Sequence, residues 1–229
     1  MKPQYSILLM DMDNTIFDFE QSEKSALLKT AEYLNLLWDF ERFEKTFHQV
    51  NKALWLLLEK GEITADYIKT NRFNQVVDLL DLKVDPVKLS LFYMEALSTC
   101  APLLPKAQEV CSLLSEKYRL AILTNGLKNV QEGRLKRSGI AHLFEKVIIS
   151  EVVGFSKPHQ AIFECALNAM DYSDKNTVLM IGDSLKADIE GAVNFGIDAL
   201  WVNVKGHEPP KEPKYKWSVN HLEALYNYL

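Results

Sequence analysis

Five short apolar runs recur along this chain, at 6–10, 120–124, 147–150, 178–182 and 199–204, each closed by a polar or glycine position. They do not alternate apolar with polar residues, as a half-exposed strand would, so each reads as a strand buried on both faces. From the second run onward, helix-length segments with 3.6-residue periodicity separate them, at 107–117, 130–138, 161–170 and 187–195. Strand and helix in alternation predict an α/β fold, a Rossmann-like open parallel sheet with helices on both faces.

One stretch breaks the alternation. Residues 20–99 contain no strand pattern and are helical throughout, with Phe40, Phe43, Phe47, Val50, Leu54 and Leu57 forming one apolar stripe. Gly61 and Asp85-Pro86 divide the stretch into about four helices. The expected organisation is an α/β core of residues 1–17 and 100–229, with a smaller all-helical cap, 18–99, inserted after the first strand and returning through Pro102 and Pro105. Ligands of open α/β sheets bind outside the carboxyl ends of the strands. The insertion is therefore expected to roof a site there.

Composition removes several classes of function. A net charge of −5, with lysine and arginine dispersed, offers no basic block for a nucleic-acid polymer. The apolar run after Lys2-Pro3 is too short for a signal-peptide core, and no run approaches membrane-spanning length. Cys100, Cys111 and Cys165 are far apart and lack Cys-x-x-Cys spacing, which reads as buried thiols in a reducing cytoplasm. The five histidines have no ligand spacing and are expected at the surface, while the methionines read as packing. The stretch 205–216, with Glu208-Pro209-Pro210 and Glu212-Pro213, reads as an extended loop, followed by a closing helix over 221–229. The expected state is a monomer or homodimer acting on a small molecule.

The chemistry begins at Asp11-Met12-Asp13-Asn14-Thr15, where two carboxylates follow a buried strand directly. Two like charges so close together need a balancing cation or proton. On its own the pair could be an ordinary turn. The later strand ends add compatible groups: Thr124-Asn125-Gly126 with a hydroxyl and backbone N–H groups, Lys157 before a helix, and Gly182-Asp183-Ser184 with Asp188 one turn later. Four aspartates and one lysine make a pocket that a phosphate dianion would enter only beside a divalent cation. An all-oxygen ligand set facing phosphate favours Mg2+ over zinc.

Asp-x-Asp-x-Thr, Thr-Asn-Gly, Lys-Pro and Gly-Asp-Ser-x-x-x-x-Asp, in that order on successive strand ends, resemble the haloacid dehalogenase superfamily over essentially the whole chain. The resemblance implies a phosphomonoester hydrolase in which Asp11 is the nucleophile, forming an aspartyl-phosphate, and Asp13 the general acid/base. It implies a metal held by Asp11, the Asp13 carbonyl and Asp183, with Asp188 in the outer shell or beside Lys157. Thr124, Asn125, Gly126, Lys157 and the Met12 N–H would face the phosphoryl oxygens. Family dehalogenases lack an acid at the second position because halide leaves unprotonated. Asp13 therefore favours phosphate chemistry. Phosphomutase or sugar-phosphate phosphatase activity, or a non-catalytic nucleotide-binding protein, are the alternatives.

Residues 50–55 with Arg72-Phe73, together with 131–139 and 149–154, resemble bacterial pyrimidine 5′-nucleotidases that also act on non-standard nucleotides. In that reading Asn51, Lys52, Trp55 and Arg72 contact base or ribose. In the alternative, Trp55 belongs to the helical stripe and Lys52 and Arg72 lie in solvent.

Overall fold

A computed structural model of the chain describes residues 5–212 and 214–229. Lys2-Pro3 and Pro213 lie outside the described residues. In chain order the elements are β1 (Ile7–Met10), α1 (Phe19–Tyr33), α2 (Phe40–Glu59), α3 (Ala65–Leu80), α4 (Pro86–Ser98), α5 (Ala107–Ser115), β2 (Arg119–Thr124), α6 (Lys128–Arg137), β3 (Lys146–Ile149), α7 (Ser150–Val153) and α8 (Gln160–Ala169). β4 (Val178–Gly182) leads through a π-helical turn, Leu185–Glu190, into α9 (Gly191–Phe195), and β5 (Asp198–Val202) and β6 (Trp217–Val219) follow.

The six strands form one parallel sheet in the order β3-β2-β1-β4-β5-β6. From central β1 the chain winds outward to β3, then returns to β4 and winds the other way. The order reverses between β1 and β4, so the crevice at their carboxyl ends is the topological switch point.

The absence of alternation in the strands has a direct cause. Leu8, Met10, Ile122 and Ile181 face one core together with Val110, Cys111 and Leu114 of α5. Ile7, Leu9, Leu123 and Met180 face a second core with Ile162, Phe163 and Ala166 of α8. The central strands β1, β2 and β4 thus contribute apolar side chains to both faces, each worth about 1.5–3 kcal/mol when fully buried.

The chain divides into two compact units, one comprising Met1–Phe19, Ala101–Lys128 and Leu135–Leu229, the other Glu20–Cys100 and Asn129–Arg134. The second holds α1 to α4. Thr64 caps α3 by accepting from the Tyr67 N–H, and Asp85 caps α4 by accepting from Val87, with Pro86 in the first turn. The stripe on α2 is Phe43, Phe47, Val50, Leu54 and Leu58. Leu58, four residues past Leu54, takes the buried place the sequence gives to Leu57, while Phe40 and Leu57 are half-buried. Asn129–Arg134, which the sequence boundaries put in the α/β part, joins the helical unit because Gly133 lets α6 approach α4. A Cβ at Gly133 would lie 2.9 Å from Ser98 Cβ.

Three local expectations need correction. Ser150 opens α7 instead of ending β3. β6 is an added strand that the sequence reading lacks. The closing segment is a 3-10 helix, Leu222–Asn227, whose buried residues Leu222 and Leu225 are three apart, one 3-10 turn. All five histidines are exposed, Met10, Met12, Met170 and Met180 are buried, and Met94 is half-buried. Cys111 is buried, whereas Cys100 and Cys165 are only partly so, and all three are free thiols. Among the described residues no helix is long and apolar enough to cross a membrane.

Candidate active site

The switch point is where the first carboxylate emerges. The Asp11 N–H donates to the Ile181 carbonyl at 2.8 Å, carrying the β1–β4 pairing one residue beyond the strand and fixing the Asp11 backbone. The chain then folds back: the Met12 carbonyl accepts from the N–H groups of Ile16 and Phe17, and the Asn14 N–H donates to the Phe17 carbonyl. Asn14 has φ 57°, a left-handed conformation that asparagine tolerates better than most residues. Asp13 sits half-buried on this loop, whereas Asp11 is buried.

At the end of β2, buried Thr124 accepts from the Gly126 N–H at 3.1 Å. Asn125 turns its amide toward Lys157. Its Oδ1 accepts from the Lys157 N–H at 2.8 Å, and its Nδ2 donates to the Lys157 carbonyl at 2.9 Å.

Lys157 is 2 % exposed, and its ammonium donates to three oxygens: Asp11 Oδ1 at 2.5 Å, Asp188 Oδ1 at 2.6 Å and the Leu123 carbonyl at 2.7 Å. All three ammonium protons are thereby used.

The end of β4 is shaped by a π turn. The Ser184 carbonyl accepts from the N–H groups of both Asp188 and Ile189. The wide turn brings Asp188 Oδ2 back to accept the Ser184 N–H at 3.0 Å. Gly182 is obligatory here, since a Cβ would fall 2.3 Å from Asp188 Oδ2. The Trp201 indole donates to the Asp183 carbonyl at 2.9 Å and steadies that residue.

The electrostatics follow from this packing. Burial pushes the Asp11 carboxyl well up, the Lys157 ammonium pulls it down, and Asp188, Asp183 and Asp13 push it up again; the net direction is up. Burial and the charge of Asp188 likewise push Asp183 up to about 7. Burial alone would lower Lys157, but Asp11 and Asp188 outweigh it and hold the ammonium protonated. One ammonium does not balance these carboxylates.

Asp11, Asp183 and Asp188 each present an oxygen within 4.8 Å of the others. The cluster contains no histidine or cysteine. Hard oxygen donors and excess buried negative charge fit a hard divalent cation such as Mg2+. Asp13 contributes no carboxylate to this group of three. Both carboxylate oxygens of Asp188 are engaged, by Lys157 and by the Ser184 N–H.

Within the helical unit Asn51, Trp55 and Arg72 are brought together. Asn51 Oδ1 accepts from Trp55 Nε1 and from Arg72 Nη1, each at 3.1 Å, and Asn51 Nδ2 donates to Glu23 Oε1 at 3.1 Å. Arg72 is 3 % exposed and stacks 4.7 Å from the Tyr93 ring, with Phe47 and Phe73 beside it. The solvent reading of Arg72 is therefore incorrect. Lys52 is exposed and stands outside this network, and Trp55 keeps part of its surface open. Glu23, Tyr93 and Trp201 are absent from the sequence-based candidates, and Ser184 appears there only as part of a motif with no role given. Only Ser184, inside the Gly-Asp-Ser motif, carried a local signal.

The chain matches the haloacid dehalogenase-like hydrolase family over residues 5–196. It is 31% identical over 222 residues to the pyrimidine 5′-nucleotidase YjjG of Escherichia coli (strain K12), covering 97% of this chain and 96% of that protein. It is 34% identical over 200 residues to the pyrimidine 5′-nucleotidase PynA of Streptococcus pneumoniae (strain ATCC BAA-255 / R6), covering 87% and 84%. The crystal structure of the HAD-hydrolase YfnB from Bacillus subtilis, bound to magnesium, matches with a TM-score of 0.88 at 31% identity, over 98% of each chain. This chain belongs to the haloacid dehalogenase-like hydrolases.

Proposed function

We propose that this hydrolase is a magnesium-dependent phosphomonoesterase acting through an aspartyl-phosphate, with nucleoside 5′-monophosphates as its substrates. The observation that carries the reading is the buried Asp11 carboxylate at the switch point, held by the Lys157 ammonium at 2.5 Å within a cluster of further carboxylates. Asp11 attacks phosphorus, the ester P–O bond breaks, and its electron pair leaves on the alkoxide, which takes a proton from Asp13. Asp13 then removes a proton from water as that oxygen attacks phosphorus. The bond to Asp11 breaks, releasing phosphate and restoring the carboxylate.

Asp11, Asp183 and the Asp13 carbonyl would hold Mg2+, with Asp188 shared with Lys157, and the ion supplies charge that offsets the phosphoryl oxygens. Thr124, Gly126, the Met12 N–H and Lys157 line those oxygens, with Asn125 adjoining. The nucleotide preference is supported by the pyrimidine 5′-nucleotidase relatives at 31% and 34% identity. In this reading the open part of Trp55 and exposed Lys52 meet the nucleoside, while buried Asn51 and Arg72 support Trp55 from within. A small phosphomonoester as partner, a monomer or homodimer as the assembly, and a cytoplasmic setting complete the proposal.

The experiment is phosphate release from a panel of nucleoside monophosphates and sugar phosphates. Magnesium-dependent release, strongest with pyrimidine nucleotides and lost in EDTA, supports the reading. Isomerised sugar phosphate without free phosphate would assign the chain to phosphoryl transfer instead.

A further inference from the structure

We infer that Asn125 is a positioning residue for Lys157 and works through that lysine, not by holding phosphate; this rests on the phosphomonoesterase reading. The Asn125 side chain brackets the Lys157 backbone from both sides, accepting its N–H at 2.8 Å and donating to its carbonyl at 2.9 Å. Its one carbonyl oxygen and one of its two amide protons are thereby committed across 32 residues of sequence. The bracket joins the end of β2 to the loop before α8.

Lys157 needs such a bracket because it sits outside regular secondary structure. No helix or strand ladder fixes its backbone, yet its ammonium must meet Asp11, Asp188 and the Leu123 carbonyl at once, all within 2.5–2.7 Å. Leu123 and Asn125 flank Thr124 on the same strand end. One segment therefore fixes the lysine twice, through its backbone by Asn125 and through its ammonium by the Leu123 carbonyl. Aspartate in place of Asn125 would keep the acceptor and lose the donor. Alanine would lose both.

The test is a double-mutant cycle with N125A, K157A and N125A/K157A. The readouts are kcat/KM on a nucleoside monophosphate and, because K157A removes a group central to turnover, the affinity for inorganic phosphate with Mg2+ by calorimetry. The expected result is a loss of about 10–100-fold in kcat/KM for N125A, the range for removing a residue that orients a functional ligand, a smaller loss for N125D, and no further loss of phosphate affinity when N125A is added to K157A. Losses that multiply in the double variant, or a fully active N125A, would overturn the inference. If N125A does not fold, as judged by circular dichroism, the N125D and N125D/K157A pair gives the same comparison. A wild-type protein that releases phosphate from no substrate would instead sink the phosphomonoesterase reading.

Discussion

The Lys157 ammonium sits 2.5 Å from Asp11 Oδ1, with both side chains removed from water. Lys157 donates its other protons to Asp188 and to the Leu123 carbonyl, so one cation ties the ends of β1 and β2 to the π turn after β4. In the proposed reaction it offsets charge on the phosphoryl oxygens. K157M should lower kcat by about 100–1,000-fold, the usual effect of removing one preorganised donor. It should also destabilise the metal-free protein by roughly 3–5 kcal/mol, because Asp11 and Asp188 lose their buried partner. Thermal melts should show Mg2+ recovering part of that loss; a melting temperature equal to wild type without metal would contradict the electrostatic account.

Asp183 gives a pH dependence with a defined sign. Its folded carboxyl is pushed up to about 7, by burial and then by Asp188, against about 3.9 in an unfolded chain. The folded state therefore holds more protons across that window, and metal-free stability falls as pH rises from about 4 to 7. Asp11 is shifted in the same direction. Mg2+ should flatten this slope, because it competes with the protons. Melts at several pH values, with EDTA or with Mg2+, measure both, and D183N should remove part of the slope.

Gly182 leaves no space for a side chain. A Cβ there would fall 2.3 Å from Asp188 Oδ2 and 2.6 Å from Asp188 Cβ. G182A should cost about 1–3 kcal/mol from overpacking and displace Asp188 from Lys157, so phosphate release and melting temperature should fall together.

The helical unit yields a prediction that separates support from contact. R72M removes the guanidinium that donates to Asn51 Oδ1 and should cost about 1.5–3 kcal/mol through the lost charge-assisted hydrogen bond. It should also change Trp55 fluorescence, since Trp55 shares that acceptor. W55A removes the other donor to Asn51 Oδ1 and should cost about 0.5–1.5 kcal/mol, and it should lower kcat/KM for nucleotides while sparing p-nitrophenyl phosphate, which has no base. Equal losses on both substrates would remove Trp55 from substrate selection.

The sheet was largely legible because five of its strands are apolar on both faces and end on chemically distinctive residues. β6 was not, since Trp217–Val219 is three residues long and gains its identity only by pairing with β5. The acidic cluster was legible because Asp11 and Asp183 follow strand ends directly and Asp188 comes one helical turn after Asp183. The Asn125 bracket was hidden, because Asn125 and Lys157 are 32 residues apart and their bonds run from side chain to backbone. The π turn was hidden for a related reason: the segment 187–195 has ordinary helical periodicity, and the turn is marked by the hydrogen bond from the Ser184 N–H to Asp188 Oδ2. Asn51 and Arg72 stood out through the resemblance to pyrimidine 5′-nucleotidases, but their partner Glu23 lies 28 residues before Asn51.

The covalent step is the most direct test of the account. D13N retains Asp11 but lacks both the acid for the leaving group and the base for water, so with p-nitrophenyl phosphate, whose leaving group needs no proton, and Mg2+ it should accumulate a phosphoryl adduct. Mass spectrometry of the peptide containing residue 11 reads it out. A phosphoryl group on Asp11 in D13N, absent from D11N and absent without Mg2+, is the predicted result. Phosphate release that continues at the wild-type rate in D11N would contradict it.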